Sequence, residues 1–172
     1  AVAQLMGSPF KNTSVSAFLD GGKNKEIIEA LSQLEAWKMI ITVPQRGVSV
    51  ESSFHPKRYL FDLGIAKHLR EAAIPTARLL KGHSQFSEVR VPLGGLIENI
   101  TAFNLLTKGH ELSGWRKSSS GSEVDFIVKH ASSVVPVECK SALAIKDTHL
   151  GGVKDFMEIH HLPRGILVSL AP

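Results

Sequence analysis

The chain contains two short stretches, Glu123-Val-Asp-Phe126 and Val137-Glu-Cys-Lys140, that determine how its second half is interpreted. Successive side chains of a β-strand point to opposite faces, so Glu138 and Lys140 are expected to share one face. The same alternation places Asp125 opposite the two apolar residues that flank it. A hairpin between the two strands would bring Asp125 beside the Glu138 strand. Two carboxylates and one ammonium group are therefore expected to converge.

The segments around these stretches show hydrophobic periods that alternate between helix and strand. Apolar residues three and four apart predict helices, and short runs rich in β-branched residues predict strands. The predicted elements are a helix from Leu93 to about Lys108, strands at Leu112–Arg116, Glu123–Lys129 and Val134–Ser141, a helix at Asp147–His160, and a strand at Gly165–Leu170. This order predicts an α/β fold for residues 93–172.

The first part of the chain predicts a second, smaller unit. Lys25–Lys38 has the period of an amphipathic helix, and Met39–Val43 and Lys57–Phe61 predict two strands around a polar loop. Helices followed by a two-stranded wing are typical of a winged helix, which we predict for residues 1–75, with residues 76–92 as the connector. Such a module either docks on DNA or acts as a spacer. In the first case its cations would contact phosphates: Lys23, Lys25, Arg46 and Lys57.

The converging acidic residues suit a hard divalent cation. Mg²⁺ or Mn²⁺ binds carboxylate oxygens, so Asp125 and Glu138 are the predicted metal ligands. Lys140 would orient a water molecule or stabilise the charge that develops on a phosphate. Glu98, on the preceding helix, would supply a further ligand or position a water. The alternative is a surface salt-bridge cluster, with Glu98 as a solvated flank of its helix.

The order and spacing of these motifs resemble the PD-(D/E)XK nuclease superfamily. Its restriction-endonuclease-like core has the order α-β-β-β-α-β and an Asp, Glu and Lys site. More narrowly, several runs resemble the C-terminal domain of uncharacterised function that is attached to a group of prokaryotic AAA+ ATPases: Lys57–Gly64, Leu93–Asn99, Trp115-Arg116, Ser122–Phe126 and Pro136–Lys140.

This resemblance implies a winged-helix segment followed by a nuclease-like domain that binds DNA and cleaves phosphodiester bonds with Mg²⁺ or Mn²⁺. The alternative is a non-catalytic module of the same fold that binds nucleic acid or protein. The resemblance also implies that an ATPase module precedes this part. No Gly-x-x-x-x-Gly-Lys-Ser/Thr loop occurs in the chain itself, so ATP chemistry is not expected of this piece. By analogy with that ATPase, an oligomer is expected. The chain opens at Ala1 without an initiator Met, so we expect a piece of a longer protein.

Composition and charge limit which partners and which cellular location we expect. The net charge of +4 and the pI near 9.3 favour a polyanionic partner, with Arg116 and Lys117 as further predicted nucleic-acid contacts. The single cysteine, Cys139, permits no intrachain disulfide, and no apolar run is long enough to span a bilayer. We therefore expect a cytoplasmic protein without a membrane partner. Trp115 is expected in the packing, and the side chain of Cys139 on the buried face.

Overall fold

The computed structural model describes residues 24–48, 53–62, 64, 65, 68, 87–118, 121–131, 133–142 and 144–170. Within these ranges the chain forms helices and strands in the following order: α1 Asn24–Ala36, β1 Ile40–Arg46, β2 Ser53–Leu60, α2 Ser87–Thr107, β3 Glu111–Arg116, β4 Glu123–His130, β5 Ser133–Lys140, a 3-10 helix Asp147–Leu150, α3 Gly151–Ile159, and β6 Ile166–Ser169. Residues 1–23 of the predicted winged-helix segment and most of the predicted connector lie outside the described residues.

All six strands belong to one sheet with the order β2-β1-β3-β4-β5-β6. β1 runs parallel to β3, and β5 runs parallel to β6, whereas the other neighbouring pairs are antiparallel. The β1–β2 hairpin therefore extends the sheet that is formed by the second half of the chain. Residues far apart in the sequence are thereby brought to neighbouring positions.

The helices α2 and α3 belong to two different clusters of buried apolar residues. Around α2 the buried cluster consists of Ile41, Val43, Tyr59, Leu93, Ile97, Ala102, Leu112, Phe126, Val128, Val137 and Cys139. Around α3 it consists of Trp115, Val124, Ile127, Val153 and Phe156. Burial of apolar side chains in both clusters is the main favourable contribution to folding, at about 25 cal/mol per Å² removed from water.

A β-bulge interrupts the pairing of β3 with β4 at the predicted site. Ser113 pairs with Ile127 and Trp115 pairs with Val124, which leaves Gly114 facing the two residues Asp125 and Phe126. A bulge adds one residue to one strand and changes the direction of the side chains around it. The regular alternation predicted here is therefore wrong, because Val124 and Phe126, expected on one face, lie in the two different clusters.

Several sequence-based predictions can be compared with this fold. The mixed α/β class is confirmed, and the helix, three strands, helix and strand follow in the predicted order. Trp115 and Cys139 are buried as expected. The winged-helix interpretation of residues 1–75 stays a prediction, since much of that segment lies outside the described residues. No helix in the described ranges is both long and apolar enough to cross a membrane.

Candidate functional site

The side chain of Lys57 lies at the centre of an acidic cluster. Its Nζ is 2.7 Å from Oδ1 of Asp125, 3.3 Å from Oε2 of Glu98 and 4.0 Å from Oε1 of Glu123. Only 1% of this side chain is exposed. An isolated buried ammonium group would be strongly destabilising, so the carboxylates are what make its burial tolerable. We define these four residues as the Lys57 cluster.

Helix α2 contributes Glu98 to the Lys57 cluster and fixes its position through neighbouring residues. The hydroxyl of Tyr59 donates a hydrogen bond to Oε2 of Glu98 at 3.0 Å. The next residue of the helix, Asn99, is fully buried and binds the backbone of Leu60 through both ends of its amide. These contacts hold α2 against β2, so the carboxyl group of Glu98 is directed at Lys57.

Asp125 lies between the Lys57 cluster and strand β5. One carboxylate oxygen accepts the short hydrogen bond from Lys57, and the other, Oδ2, accepts a hydrogen bond from the backbone N–H of Cys139 at 2.9 Å. This second bond brings the Asp125 carboxyl group next to the backbone between Glu138 and Lys140. The bulge in β4 comprises Asp125 and Phe126, so the strand is locally distorted at the residue that carries this carboxyl group.

Glu138 and Lys140 form an ion pair at the end of β5. Nζ of Lys140 donates to Oε1 of Glu138, as expected for residues two apart in a strand. The Glu138 side chain is 5% exposed, and the Lys140 side chain is 34% exposed. The other carboxylate oxygen of Glu138, Oε2, is buried and makes no hydrogen bond with any residue in the described ranges.

The pKa values of the carboxyl groups indicate that these charges influence one another. Burial raises the pKa of Glu98 to about 7, and the negative charge of Asp125 acts in the same direction. Burial likewise raises the pKa of Glu138 to about 7, again with a contribution from Asp125 and against the effects of Lys140 and Lys57. Asp125 therefore influences both the Lys57 cluster and the Glu138–Lys140 pair.

For the two lysines, burial and the neighbouring charges act on the pKa in opposite directions. Burial alone would lower the pKa of Lys57, but the carboxylates of Asp125, Glu98 and Glu123 outweigh it and raise the pKa above its ordinary value. The pKa of Lys140 is also raised, because its pairing with Glu138 outweighs the effect of burial. Both side chains therefore carry a positive charge at neutral pH.

The structure places the four predicted catalytic residues, Glu98, Asp125, Glu138 and Lys140, in this one region. The predicted nucleic-acid contacts are distributed differently. Nε of Arg116 donates to Glu123 at 2.8 Å, and Lys117 lies 3.2 Å from Oδ2 of Asp155 on α3. Arg46 is exposed at the end of β1. Lys57, expected on an exposed wing, is buried in the acidic cluster.

Sequence reasoning did not find that Lys57 and Tyr59 belong to the acidic site. A signal was present, because the two residues lie two positions apart in a predicted strand and therefore share a face. What the sequence could not supply was the sheet order that places β2 within reach of α2 and β4. Asn99 was equally missed, although it directly follows the candidate residue Glu98.

The fold and the cluster define the class of this protein part as a mixed α/β domain with a buried site of carboxylates and lysines. Residues 93–171 match the family model described as Domain of unknown function (DUF4143), a domain that typically lies C-terminal to AAA ATPases. The matched residues run from within α2 to just beyond β6 and include Glu98, Asp125, Glu138 and Lys140. Lys57 precedes them. Comparisons with curated proteins and with solved structures gave no match.

Proposed function

We propose that residues 93–171 form a PD-(D/E)XK nuclease-like domain that binds DNA and hydrolyses phosphodiester bonds with Mg²⁺ or Mn²⁺, as part of an AAA+ ATPase-type protein. The observation that carries this proposal is the linkage of Asp125 and Glu138, on two neighbouring strands, with Lys140 directly paired to Glu138. The element order of helix, three strands, helix and strand supports it. The family match supports the association with an ATPase.

The carboxyl groups of Asp125 and Glu138 would hold the cation. Oε2 of Glu138 is a buried acceptor to which no described residue donates, and an acceptor of this kind favours a ligand. The described ranges contain no group of three His, Cys, Asp or Glu side chains arranged as metal ligands. Mg²⁺ commonly binds one or two carboxylates and keeps several waters, so two carboxylates fit it. The bound cation would polarise a phosphoryl oxygen and lower the pKa of a bound water.

The chain's own residues supply the remaining functions. The side chain of Lys140 is about one third exposed, so its ammonium group can reach a phosphate and offset the negative charge that develops there. Glu98 is held by Tyr59 and Lys57, which fixes its carboxyl group for positioning a water molecule. Arg116 and Lys117 are proposed to contact the nucleic-acid backbone beside the site, where each now pairs with an acidic side chain.

Cleavage of supercoiled plasmid in the presence of Mg²⁺ or Mn²⁺ tests this proposal. The wild-type chain should nick the plasmid, and Lys140→Ala should nick it roughly 100-fold more slowly, since one electrostatic contact to the developing charge is lost. Lys129→Ala is the matched control, because Lys129 is an exposed lysine on β4 that pairs with Glu111. An intact plasmid with the wild type, or equal nicking by Lys140→Ala, would remove the catalytic assignment.

A second candidate function is a non-catalytic module of the same fold that binds nucleic acid or a protein partner. It is favoured by the ion pairs of Lys57, because this ammonium group already neutralises part of the acidic cluster that a metal would use. DNA binding measured by fluorescence anisotropy at several salt concentrations separates the versions of this candidate. Binding to phosphates should weaken as salt rises, whereas a flat salt response would leave protein binding.

A further inference from the structure

The position of Lys57 resembles that of a bound cation more than that of a surface side chain. Its ammonium group contacts carboxylates from two different elements, Asp125 of β4 and Glu98 of α2, and approaches a third at Glu123. Its donor atom is within hydrogen-bonding distance of the first two. A lysine with 1% side-chain exposure and such partners lies between the acidic side chains of two different elements and offsets the repulsion between them.

A count of formal charges shows what Lys57 contributes. The ion pairs of the site include four carboxylates, those of Glu98, Glu123, Asp125 and Glu138, and three cations, those of Lys57, Arg116 and Lys140. When all four carboxyl groups are ionised, four negative and three positive charges leave a formal charge of −1. Without Lys57 the same site would carry −2, which one divalent cation would neutralise.

From this arrangement we infer that Lys57 is a built-in cation that competes with a divalent metal for Asp125. When no metal is bound, its ammonium group holds the carboxyl groups of Asp125 and Glu98 together. When a divalent cation binds at Asp125, the ammonium group is displaced, because two cations within a few Å of one carboxylate repel each other. This inference rests on the proposed metal site. It means that Lys57, which lies outside the family match, controls the affinity of that site for the metal.

Binding of Mn²⁺ to the full chain, measured by isothermal titration calorimetry, tests the competition directly. Lys57→Met removes the charge and keeps an unbranched apolar side chain, and it should bind Mn²⁺ at least about tenfold more tightly than the wild type, since a unit charge at this range has a large effect. Lys129→Met is the matched control and should bind like the wild type. Equal or weaker binding by Lys57→Met, or no binding by either protein, overturns the inference.

A second measurement uses the wild-type protein and does not depend on the folding of a variant. Lysine acetylation followed by mass spectrometry reports how accessible each ammonium group is. Lys57 should be labelled slowly without metal and several-fold faster with millimolar Mn²⁺, whereas labelling of Lys129 should not change. Labelling of Lys57 that is unaffected by Mn²⁺ overturns the displacement.

These results are distinguishable from the outcome of the nuclease test. Tighter Mn²⁺ binding by Lys57→Met, together with faster labelling of Lys57 in an uncleaving wild type, leaves the competition standing and removes hydrolysis. Plasmid cleavage by the wild type without any gain of affinity in Lys57→Met leaves hydrolysis standing and removes the competition.

Discussion

The buried amide of Asn99 offers a quantitative test of how α2 is attached to the sheet. Its Nδ2 donates to the carbonyl of Leu60 at 2.7 Å, and its Oδ1 accepts from the N–H of the same residue at 2.8 Å. β2 is an edge strand of the sheet, so its outer side has no neighbouring strand among the described residues. The amide of Asn99 thus provides the two hydrogen bonds that a further strand would make there.

Replacement of Asn99 by Leu keeps a similar side-chain volume and removes both hydrogen bonds. Each bond contributes about 1 kcal/mol net, and burial of the backbone groups without the amide adds a desolvation cost of about 1–3 kcal/mol. We therefore expect Asn99→Leu to lower the free energy of unfolding by about 3–5 kcal/mol. Urea denaturation followed by circular dichroism at 222 nm, the usual helix band, measures this difference.

Asn104→Leu is the matched control on the same helix. Asn104 is exposed, and its amide donates at 2.8 Å to the carbonyl of Ile100 within the helix. Its replacement should change the free energy of unfolding by no more than about 0.5 kcal/mol. A loss below about 1 kcal/mol for Asn99→Leu, or equal losses for the two variants, would refute the reasoning that the amide replaces a strand.

Further predictions concern two adjacent glycines and one carboxyl group. A Cβ atom at Gly152 would overlap the carbonyl oxygen of Glu123, whereas a Cβ at Gly151 would meet nothing within 4 Å. Thermal unfolding should therefore show that Gly152→Ala is destabilised by about 1–3 kcal/mol or more and Gly151→Ala stabilised by up to about 1 kcal/mol; the opposite order would contradict the close approach. Burial raises the pKa of Glu138 from 4.5 to about 7, so the unfolded chain ionises at lower pH than the folded one and stability should fall as pH rises between these values. Glu138→Gln, measured in EDTA by the thermal midpoint, should show a smaller fall than the wild type, and parallel profiles would exclude this role of the buried carboxyl group.

The extent to which sequence alone predicted the site follows from the distances along the chain. Asp125, Glu138 and Lys140 lie on two strands joined by a short hairpin, so the predicted pairing of these strands brought them together. Period-two alternation holds for Glu138 and Lys140 on β5, whereas the bulge breaks it around Asp125 on β4. Glu98 came from the helix that precedes these strands. The elements that hold these residues follow one another along the chain, so the local hydrophobic pattern was enough to predict them.

The partners that sequence reasoning missed are non-local. Lys57 meets Asp125 across 68 residues, and the contact depends on β1 pairing in parallel with β3. Parallel neighbours are joined by long connections, and the hydrophobic period of a strand does not say which other strand it will pair with. The bulge at Asp125 could not be predicted for the same reason. It depends on how β4 pairs with β3 at Gly114, and the sequence of β4 alone does not show that one residue is extra.

The position of β1 between β2 and β3 has a practical consequence for dividing this protein into parts. β1 lies between β2 and β3 and pairs with β3 at Gly114 and Trp115, so a shorter version of the chain that begins at residue 93 would leave this edge of β3 open. An open flank of this kind invites pairing with other molecules and aggregation. The same shortening would strip Asp125 and Glu98 of their nearest positive charge. Insolubility of such a fragment would therefore reflect where it was cut, and a boundary ahead of α1 preserves both the sheet and its charge balance.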